Sequence, residues 1–192
     1  MMKLSDEEYI EDLTIENGDF HDYSNREFLG CTFKGIQFSE NQIKSSKFIE
    51  CKFKNCNFKN PQLTGCSFRE VDFFDSKLVG LHWAQATSVS SLSFNSCHIE
   101  FCVFDNLKLS GLKLIDSNCR NSEFTQNDLR KSSFQGSHLR DSQFTKCDLR
   151  DSNFTNTSHL YIDLESNQVK GIQLDMTGAL SLVEQLGIKV QL

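Results

Sequence analysis

Apolar residues recur at every fifth position through most of this chain. The first run begins at Phe28 and ends at Leu78, and the second begins at Phe94 and ends at Phe154. Of the 17 phenylalanines, 14 fall on this grid, and no charged or amide side chain does. A five-residue period matches neither a helix nor a strand. It is typical of stacked short repeats, in which each unit buries its apolar residue against its neighbours.

The period predicts a chain that turns a corner every five residues. Four corners close a square coil of four such units, and coils stack at the inter-strand spacing of about 4.8 Å. We call the grid residue of each unit its apolar centre. The residue two positions earlier also points inward and is usually Cys or Ser. The predicted core includes the centres Phe53, Phe73, Phe94 and Phe134, together with Trp83.

The repeat resembles that of the pentapeptide-repeat proteins over about residues 28–154. Units such as Cys51-Lys-Phe-Lys-Asn, Ser132-Ser-Phe-Gln-Gly and Ser152-Asn-Phe-Thr-Asn carry the resemblance. It implies an all-β fold, a right-handed quadrilateral β-helix. We expect this solenoid to occupy residues 1–176, with an N-terminal cap over about residues 1–27.

The eight cysteines follow the same repeat. Seven lie two residues before a centre, and Cys119 occupies a centre. The spacing of Cys51 and Cys56 is one repeat, which differs from the shorter spacing of metal-binding knuckles. We therefore predict buried free thiols, no disulfide and no metal site. Reduced thiols, the lack of a signal peptide and the lack of a long apolar run predict a cytoplasmic protein without a membrane partner.

The period breaks first near the N-terminus. Phe20 and Phe28 are eight residues apart, which predicts three extra residues within residues 21–27. Two interpretations are open: an irregularity of the cap, or a loop that contacts a partner through Asp22, Tyr23 and Glu27.

A second break lies in the middle of the chain. The spacing from Leu78 to Phe94 is one residue more than three repeats, and the extra residue falls at about residues 84–88. The only tryptophan, Trp83, directly precedes this slip. It is either a core residue where the two runs meet or part of a binding surface.

The period ends before a predicted helix at residues 177–187. Thr177 is the expected N-cap, and Gly187 suits the C-terminal stop. The helix either covers the open last coil, packs against a second copy, or does both, because a solenoid needs covered ends. We predict that residues 177–192 form a homodimer interface. Its apolar residues are Leu180, Val183, Leu186 and Ile188.

The sequence contains no recognisable catalytic arrangement. The five histidines are dispersed, and neither a glycine-rich phosphate loop nor a nucleophile motif is present. A narrow solenoid filled with side chains also offers few concave pockets. We expect a protein that is not an enzyme and needs no cofactor.

Three short segments extend the resemblance to a functional group within the family. Residues 179–190, 80–83 and 160–164 are similar to the topoisomerase-protecting type, which includes the Qnr, albicidin-resistance and microcin-immunity proteins. This resemblance implies DNA gyrase or topoisomerase IV as the partner, protection from a toxin or antibiotic, DNA mimicry, and no direct contact with nucleic acid.

Charge does not follow the pattern of a uniformly acidic rod. Residues 1–24 hold eight acidic residues and one basic, whereas residues 25–155 hold 14 acidic and 17 basic. Mimicry of DNA by the whole body would therefore require acids and bases to segregate to different faces. The alternative function is an interaction scaffold with a different protein partner.

Overall fold

A computed structural model of the chain describes residues 8–16, 22–40, 42–59 and 61–190. These residues form short parallel strands, one 3-10 turn at Trp83–Gln85 and one α-helix, α1, at Met176–Gln185. The strands are β1 Tyr9–Glu11, β2 Thr14–Glu16, β3 Glu27–Leu29, β4 Thr32–Lys34, β5 Gln37–Phe38, β6 Lys47–Ile49, β7 Lys52–Lys54, β8 Asn57–Phe58, β9 Ser67–Phe74, β10 Ser88–Asn95, β11 Val103–Asp105, β12 Lys113–Ile115, β13 Glu123–Thr125 and β14 Gln143–Thr145.

The strands stack into a four-sided coil with the predicted repeat. Phe33 pairs with Phe53, and Phe104 pairs with Phe124, so one turn of the coil takes four units of five residues. All strand pairs are parallel. The architecture is the quadrilateral β-helix that the period predicts.

We number the four sides in chain order. The first side holds β1, β3, β6 and the beginnings of β9 and β10; the second holds β2, β4, β7, the ends of β9 and β10, and β12. The third side holds β5 and β8 and continues through single bridges such as Asn118 to His138. The fourth side holds β11, β13 and β14.

The core is a set of stacked apolar ladders. The Phe134 and Phe154 rings lie 4.7 Å apart at an interplanar angle of 2°. Phe53, Phe73, Phe94 and Phe134 are completely buried, as predicted, and Trp83 is buried with them. The ring of Trp83 packs against Phe68, Phe73, Phe94 and Phe104. Trp83 is therefore a core residue, and the alternative of an exposed binding surface does not hold.

The small inward residues connect successive coils by hydrogen bonds. The Ser137 hydroxyl donates to the carbonyl oxygen of Leu114 at 2.8 Å. Asn127 occupies the same position: its Nδ2 donates to the carbonyl oxygen of Phe104 at 2.9 Å, and its Oδ1 accepts from the backbone of Leu107 at 2.8 Å. A buried amide is tolerated here because both of its polar ends have partners.

Most corners are made by a residue in the left-handed region, two positions after the centre. Examples are Asn55 with φ 53°, Asp116 with φ 48° and Gly35 with φ 63°. This conformation costs most residues roughly 1–2 kcal/mol, whereas glycine, asparagine and aspartate adopt it more readily. The corner requirement explains why these residue types recur at this position.

The two breaks in the period have different structural outcomes. Ser67 pairs with Ser88, which is one residue more than a full turn, so the extra residue lies at 84–88 as the sequence indicates. Near the N-terminus the prediction of three extra residues is wrong. Tyr9 pairs with Glu27 and Ile15 pairs with Phe33, so this coil is two residues shorter than a regular turn.

The N-terminal cap is also shorter than expected. Strands β1 and β2 already belong to the coil, so regular pairing begins at Tyr9 rather than after residue 27. Phe20 lies outside the described residues. Within the described ranges, no helix is long and apolar enough to cross a membrane.

Candidate interaction surfaces

The described part of the chain presents no cluster suited to metal binding. No three His, Cys, Asp or Glu side chains converge there as a metal site would require. All eight cysteines are free and buried. Burial raises the pKa of the Cys51 thiol to about 12 and that of Cys97 to about 11. These thiols are neutral packing residues rather than nucleophiles.

Helix α1 packs against the last coil through a polar and apolar seam. The Ser181 hydroxyl and Gln185 Nε2 each donate to the carbonyl oxygen of Leu160 at 3.1 Å. Leu182 is the buried apolar anchor of this seam. The helix therefore covers the end of the coil, which was one of its two predicted roles.

The helix begins one residue before the predicted position. Its N-cap is Asp175 and not Thr177, because the Asp175 Oδ1 accepts from the backbone of Gly178 at 2.8 Å. The Oδ2 of the same carboxylate accepts from the backbone of Asn156 at 2.7 Å, which joins the helix to the preceding corner. These N–H donors lower the pKa of Asp175. The helix ends at Gln185, and Gly187 has the left-handed φ of 76° expected of a stop.

The four predicted dimer residues lie away from the seam. Leu180 and Val183 are half-buried, while Leu186 is 60% exposed and Ile188 is also exposed. Val190 continues this apolar surface. The C-terminal end therefore presents apolar side chains that no described residue covers.

Tyr23 does not belong to a partner-contacting loop. It is only 2% exposed, and its ring packs against Phe28, Phe33 and Phe38. Counting back five residues from Phe28 reaches Tyr23, so it is an apolar centre on the grid. The prediction of a loop residue at position 23 is wrong because Tyr23, and not Phe20, precedes Phe28 on the five-residue grid.

The other two residues of the predicted loop remain at the surface. Asp22 is exposed, and its Oδ1 accepts from the backbone of Ser24 at 2.9 Å in a compact turn. Glu27 lies in β3 and forms an ion pair of 3.0 Å with Lys47 on the next coil. They flank a regular corner rather than a projecting loop.

Charged side chains are mixed on most of the rod. On the first side, Arg130 donates to Asp128 at 2.7 Å and Arg150 donates to Asp148 at 2.6 Å, which forms a neutralised ladder. Each arginine lowers the pKa of its aspartate. The fourth side has the largest net negative charge among the described residues. Its acidic residues are Asp22, Asp105, Glu123, Asp163 and Glu165, and its basic residues are Lys44 and Lys146. Acids thus concentrate only modestly on one side, which does not favour DNA mimicry by the whole rod.

Exposed apolar residues also occur on the third side. Phe101 is 58% exposed and occupies a corner with φ 58°, an unusual conformation for a bulky residue. Val79, on the preceding coil, is exposed as well. Phe101 is one of the three phenylalanines that lie off the five-residue grid.

A four-sided stack of five-residue units, with corner residues in the left-handed region of backbone φ, defines a pentapeptide-repeat solenoid. Two family descriptions match the chain: "Pentapeptide repeats (8 copies)" over residues 51–82 and "Pentapeptide repeat region" over residues 85–154. Together the two matches span more than half of the sequence. The chain belongs to the pentapeptide-repeat family and has its right-handed quadrilateral β-helix.

Two solved structures illustrate the likeness. A variant of QnrB1, a plasmid-mediated fluoroquinolone resistance protein, is 18% identical with a TM-score of 0.56, covering 95% of this chain and 97% of its own. The second structure is HetL, a pentapeptide-repeat protein involved in heterocyst differentiation regulation in the cyanobacterium Nostoc sp. strain PCC 7120. It is 14% identical to this chain with a TM-score of 0.57, and the alignment covers 88% of this chain and 85% of HetL. No curated sequence matches significantly. At these identities the likeness establishes the shared fold.

Proposed function

We propose that the protein is a non-enzymatic binding protein that engages a type II topoisomerase, DNA gyrase or topoisomerase IV, and protects it from a toxin or antibiotic. The observation that carries the proposal is the fold shared with a fluoroquinolone resistance protein over almost the full length of both chains. The similarity of residues 179–190 to the topoisomerase-protecting group supports the same partner.

The working form in this proposal is a homodimer joined at the C-terminal ends. Leu186 and Ile188 are exposed apolar residues beside the half-buried Leu180 and Val183. A second copy related by a two-fold axis would bury this surface against its own equivalent. The dimer would place the two rods end to end, with their β1 strands at the far ends.

The charge pattern limits which surface can imitate DNA. Only the fourth side has a clear excess of carboxylates among the described residues, and its partner surface would be basic. The neutralised ladder of Arg130 and Arg150 makes the first side a poor mimic of a phosphate backbone. Contact with a topoisomerase in this proposal therefore runs along one side of the rod.

The location in this proposal is the cytoplasm. The eight buried cysteines are free, which fits a compartment that keeps thiols reduced. A cytoplasmic topoisomerase is accessible there.

A supercoiling assay tests the proposal. Purified gyrase is assayed with increasing amounts of the protein, with and without a gyrase poison, and binding is measured in parallel. We expect dose-dependent protection or inhibition. The double variant Leu186→Asp/Ile188→Asp should lose much of this effect if the dimer is needed. Absence of binding, inhibition and protection together would refute topoisomerase as the partner.

A second candidate function is an interaction scaffold for a different protein. It is favoured by the mixed charge of three sides and by an equal structural likeness to HetL, a pentapeptide-repeat protein involved in heterocyst differentiation regulation. A negative result with gyrase and topoisomerase IV would favour this function.

A further inference from the structure

The fourth side loses its strand ladder near the C-terminal end. Strands β11, β13 and β14 stack in register one full turn apart, and one further turn from β14 leads to residues 163–165. Residues 163–165 do not pair with β14, and residues 164–166 form a turn. Regular pairing resumes at Gln168, which bridges to Asp148.

The spacing of the apolar residues explains this gap. The buried residue of the third side is Leu160, one position later than the grid predicts, while His159 is exposed with φ 58°. Val169 lies only nine positions after Leu160, whereas Leu149 lies ten positions after Leu139. The chain has one residue too few to follow the fourth side regularly.

The gap leaves the backbone N–H groups beside the outer edge of β14 open, while the Phe144 carbonyl oxygen accepts from Asn167 Nδ2 at 2.8 Å. In the preceding coil, the backbone of Asn121 donates to Arg140 at 3.0 Å and that of Gln126 donates to Thr145 at 2.9 Å. Their counterparts one full turn later are Asp141 and Lys146. Among the described residues, neither backbone N–H has an equivalent carbonyl partner in residues 160–166.

A cleft of about 590 Å³ lies along this edge. Residues 142–145 form one wall, and His159 and Tyr161 form part of the other. Phe144 is 4% exposed at the floor, and Tyr161 is 56% exposed. The volume falls within the range of about 300–1,000 Å³ that is typical of ligand sites.

Two carboxylates border the cleft. Asp141 lies 3.5 Å from Arg140, so this pair is internally neutralised. Asp163 accepts from the backbone of Glu165 at 3.0 Å, and hydrogen bonds from the Ser166 side chain and this backbone group lower its pKa. Asp163 is therefore ionised at neutral pH, next to an exposed aromatic ring on the most acidic side of the rod.

We propose that this cleft binds an extended segment of a partner protein, which adds as a strand to the outer edge of β14. The segment would accept main-chain hydrogen bonds from Asp141 and Lys146, the mode known as β-augmentation. A lysine or arginine of the segment would lie between Asp163 and the ring of Tyr161, where a cation is favoured by both. Nucleic acid is a poorer fit because the Asp163 carboxylate repels phosphates.

The inference deepens the proposed binding function but does not depend on topoisomerase being the partner. Hydrogen exchange tests the open edge in the free, full-length protein. The amides of Asp141 and Lys146 should exchange at least roughly tenfold faster than those of Asn121 and Gln126, which have backbone acceptors. Equal protection at the two pairs of amides would overturn the open edge and the proposal with it.

Peptide titration followed by NMR tests the binding mode. The probe is the acetylated and amidated pentapeptide Thr-Val-Arg-Val-Thr, compared with its glutamate counterpart and with a backbone N-methylated form. We expect saturable shifts at Asp141, Lys146 and Tyr161. The glutamate peptide should bind roughly tenfold more weakly, the combined effect of an exposed ion pair and a cation–π contact. N-methylation should abolish binding because it blocks strand pairing.

Substitutions at the cleft provide the matched comparison. Tyr161→Ala and Asp163→Lys should each weaken binding of the arginine peptide, whereas Tyr9→Ala, at an exposed tyrosine of the opposite end, should not. Equal binding of the N-methylated peptide would overturn β-augmentation. Shifts at these residues with a single-stranded oligonucleotide instead of the peptide, or on simple concentration of the protein, would also overturn the proposal in favour of nucleic acid or self-association.

Discussion

Replacing one ring of a phenylalanine ladder should destabilise the whole rod. Phe134 is completely buried; its ring stacks on Phe154 at 4.7 Å and meets Phe124 at 5.8 Å and Phe144 at 5.4 Å edge to face. Phe134→Ala removes all three ring contacts and leaves a cavity between two coils. Truncation of a buried phenylalanine costs about 3–5 kcal/mol, and the three contacts place this site near the upper value.

The matched control is Phe101→Ala. Phe101 is the same residue type but is largely exposed and occupies a left-handed corner. We expect its free energy of unfolding to change by at most about 0.5 kcal/mol, because little apolar surface is buried there.

Urea unfolding measures both variants. Far-UV circular dichroism reports the coil, and fluorescence of Trp83, the only tryptophan, reports the centre of the rod. A loss below about 1 kcal/mol for Phe134→Ala, or an equal loss in the two variants, would contradict the assignment of the grid residues to the core. Transitions that differ between the two probes would show that the coils do not unfold as one unit.

Three further results are expected. All eight cysteines are buried, and burial raises the pKa of Cys51 to about 12, so a thiol reagent at pH 8 should modify none of them until urea is added. A surface cysteine introduced by Ser110→Cys should react at once. Rapid reaction of the native protein would contradict the burial of the thiols. The pKa of Asp175 is lower in the folded protein than in the unfolded chain, so the stabilisation that its carboxylate gives α1 is fully present above the unfolded pKa of about 4 and is lost as pH falls through the folded pKa. The Asp175→Ala substitution should remove this pH dependence from the NMR signal of the Gly178 amide. An unchanged profile would refute the cap. Sedimentation velocity should show a dimer that becomes a monomer in Leu186→Asp but not in the exposed control Glu184→Gln, and a wild-type monomer at high concentration would refute the C-terminal interface.

The five-residue period was sufficient to predict the coil and the buried cysteines, whereas it left two roles open for Trp83 that only its burial decides. Each follows from a local rule: an apolar centre must point inward, and a small residue must precede it. The same rule predicts Tyr23 as a core residue when it is counted back from Phe28. Phe20 fits the period counted from Ile15 and Tyr23 fits it counted from Phe28, so the period alone does not indicate which aromatic residue belongs to the grid.

Features that depend on contacts between distant segments were harder to predict. Asp175 caps the helix and also reaches Asn156, whereas the sequence indicated Thr177 as the cap. The cleft beside β14 arises because Leu160 replaces His159 as the buried residue, a choice between two neighbours that the grid cannot make. Nothing in the local pattern indicates that the edge of β14 is left unpaired.

Because the cross-section is square, each five-residue unit corresponds to a quarter turn of the chain about the long axis. Deleting one unit removes one side of the coil, so everything that follows would turn by a quarter of a revolution about the long axis. Deleting four units shortens the rod by one layer and restores the original alignment. The chain thus offers a way to rotate its C-terminal end, with α1 and the cleft, relative to its acidic N-terminal end while their local sequences stay unchanged. A partner that touches both ends would lose affinity after the first deletion and regain most of it after the second.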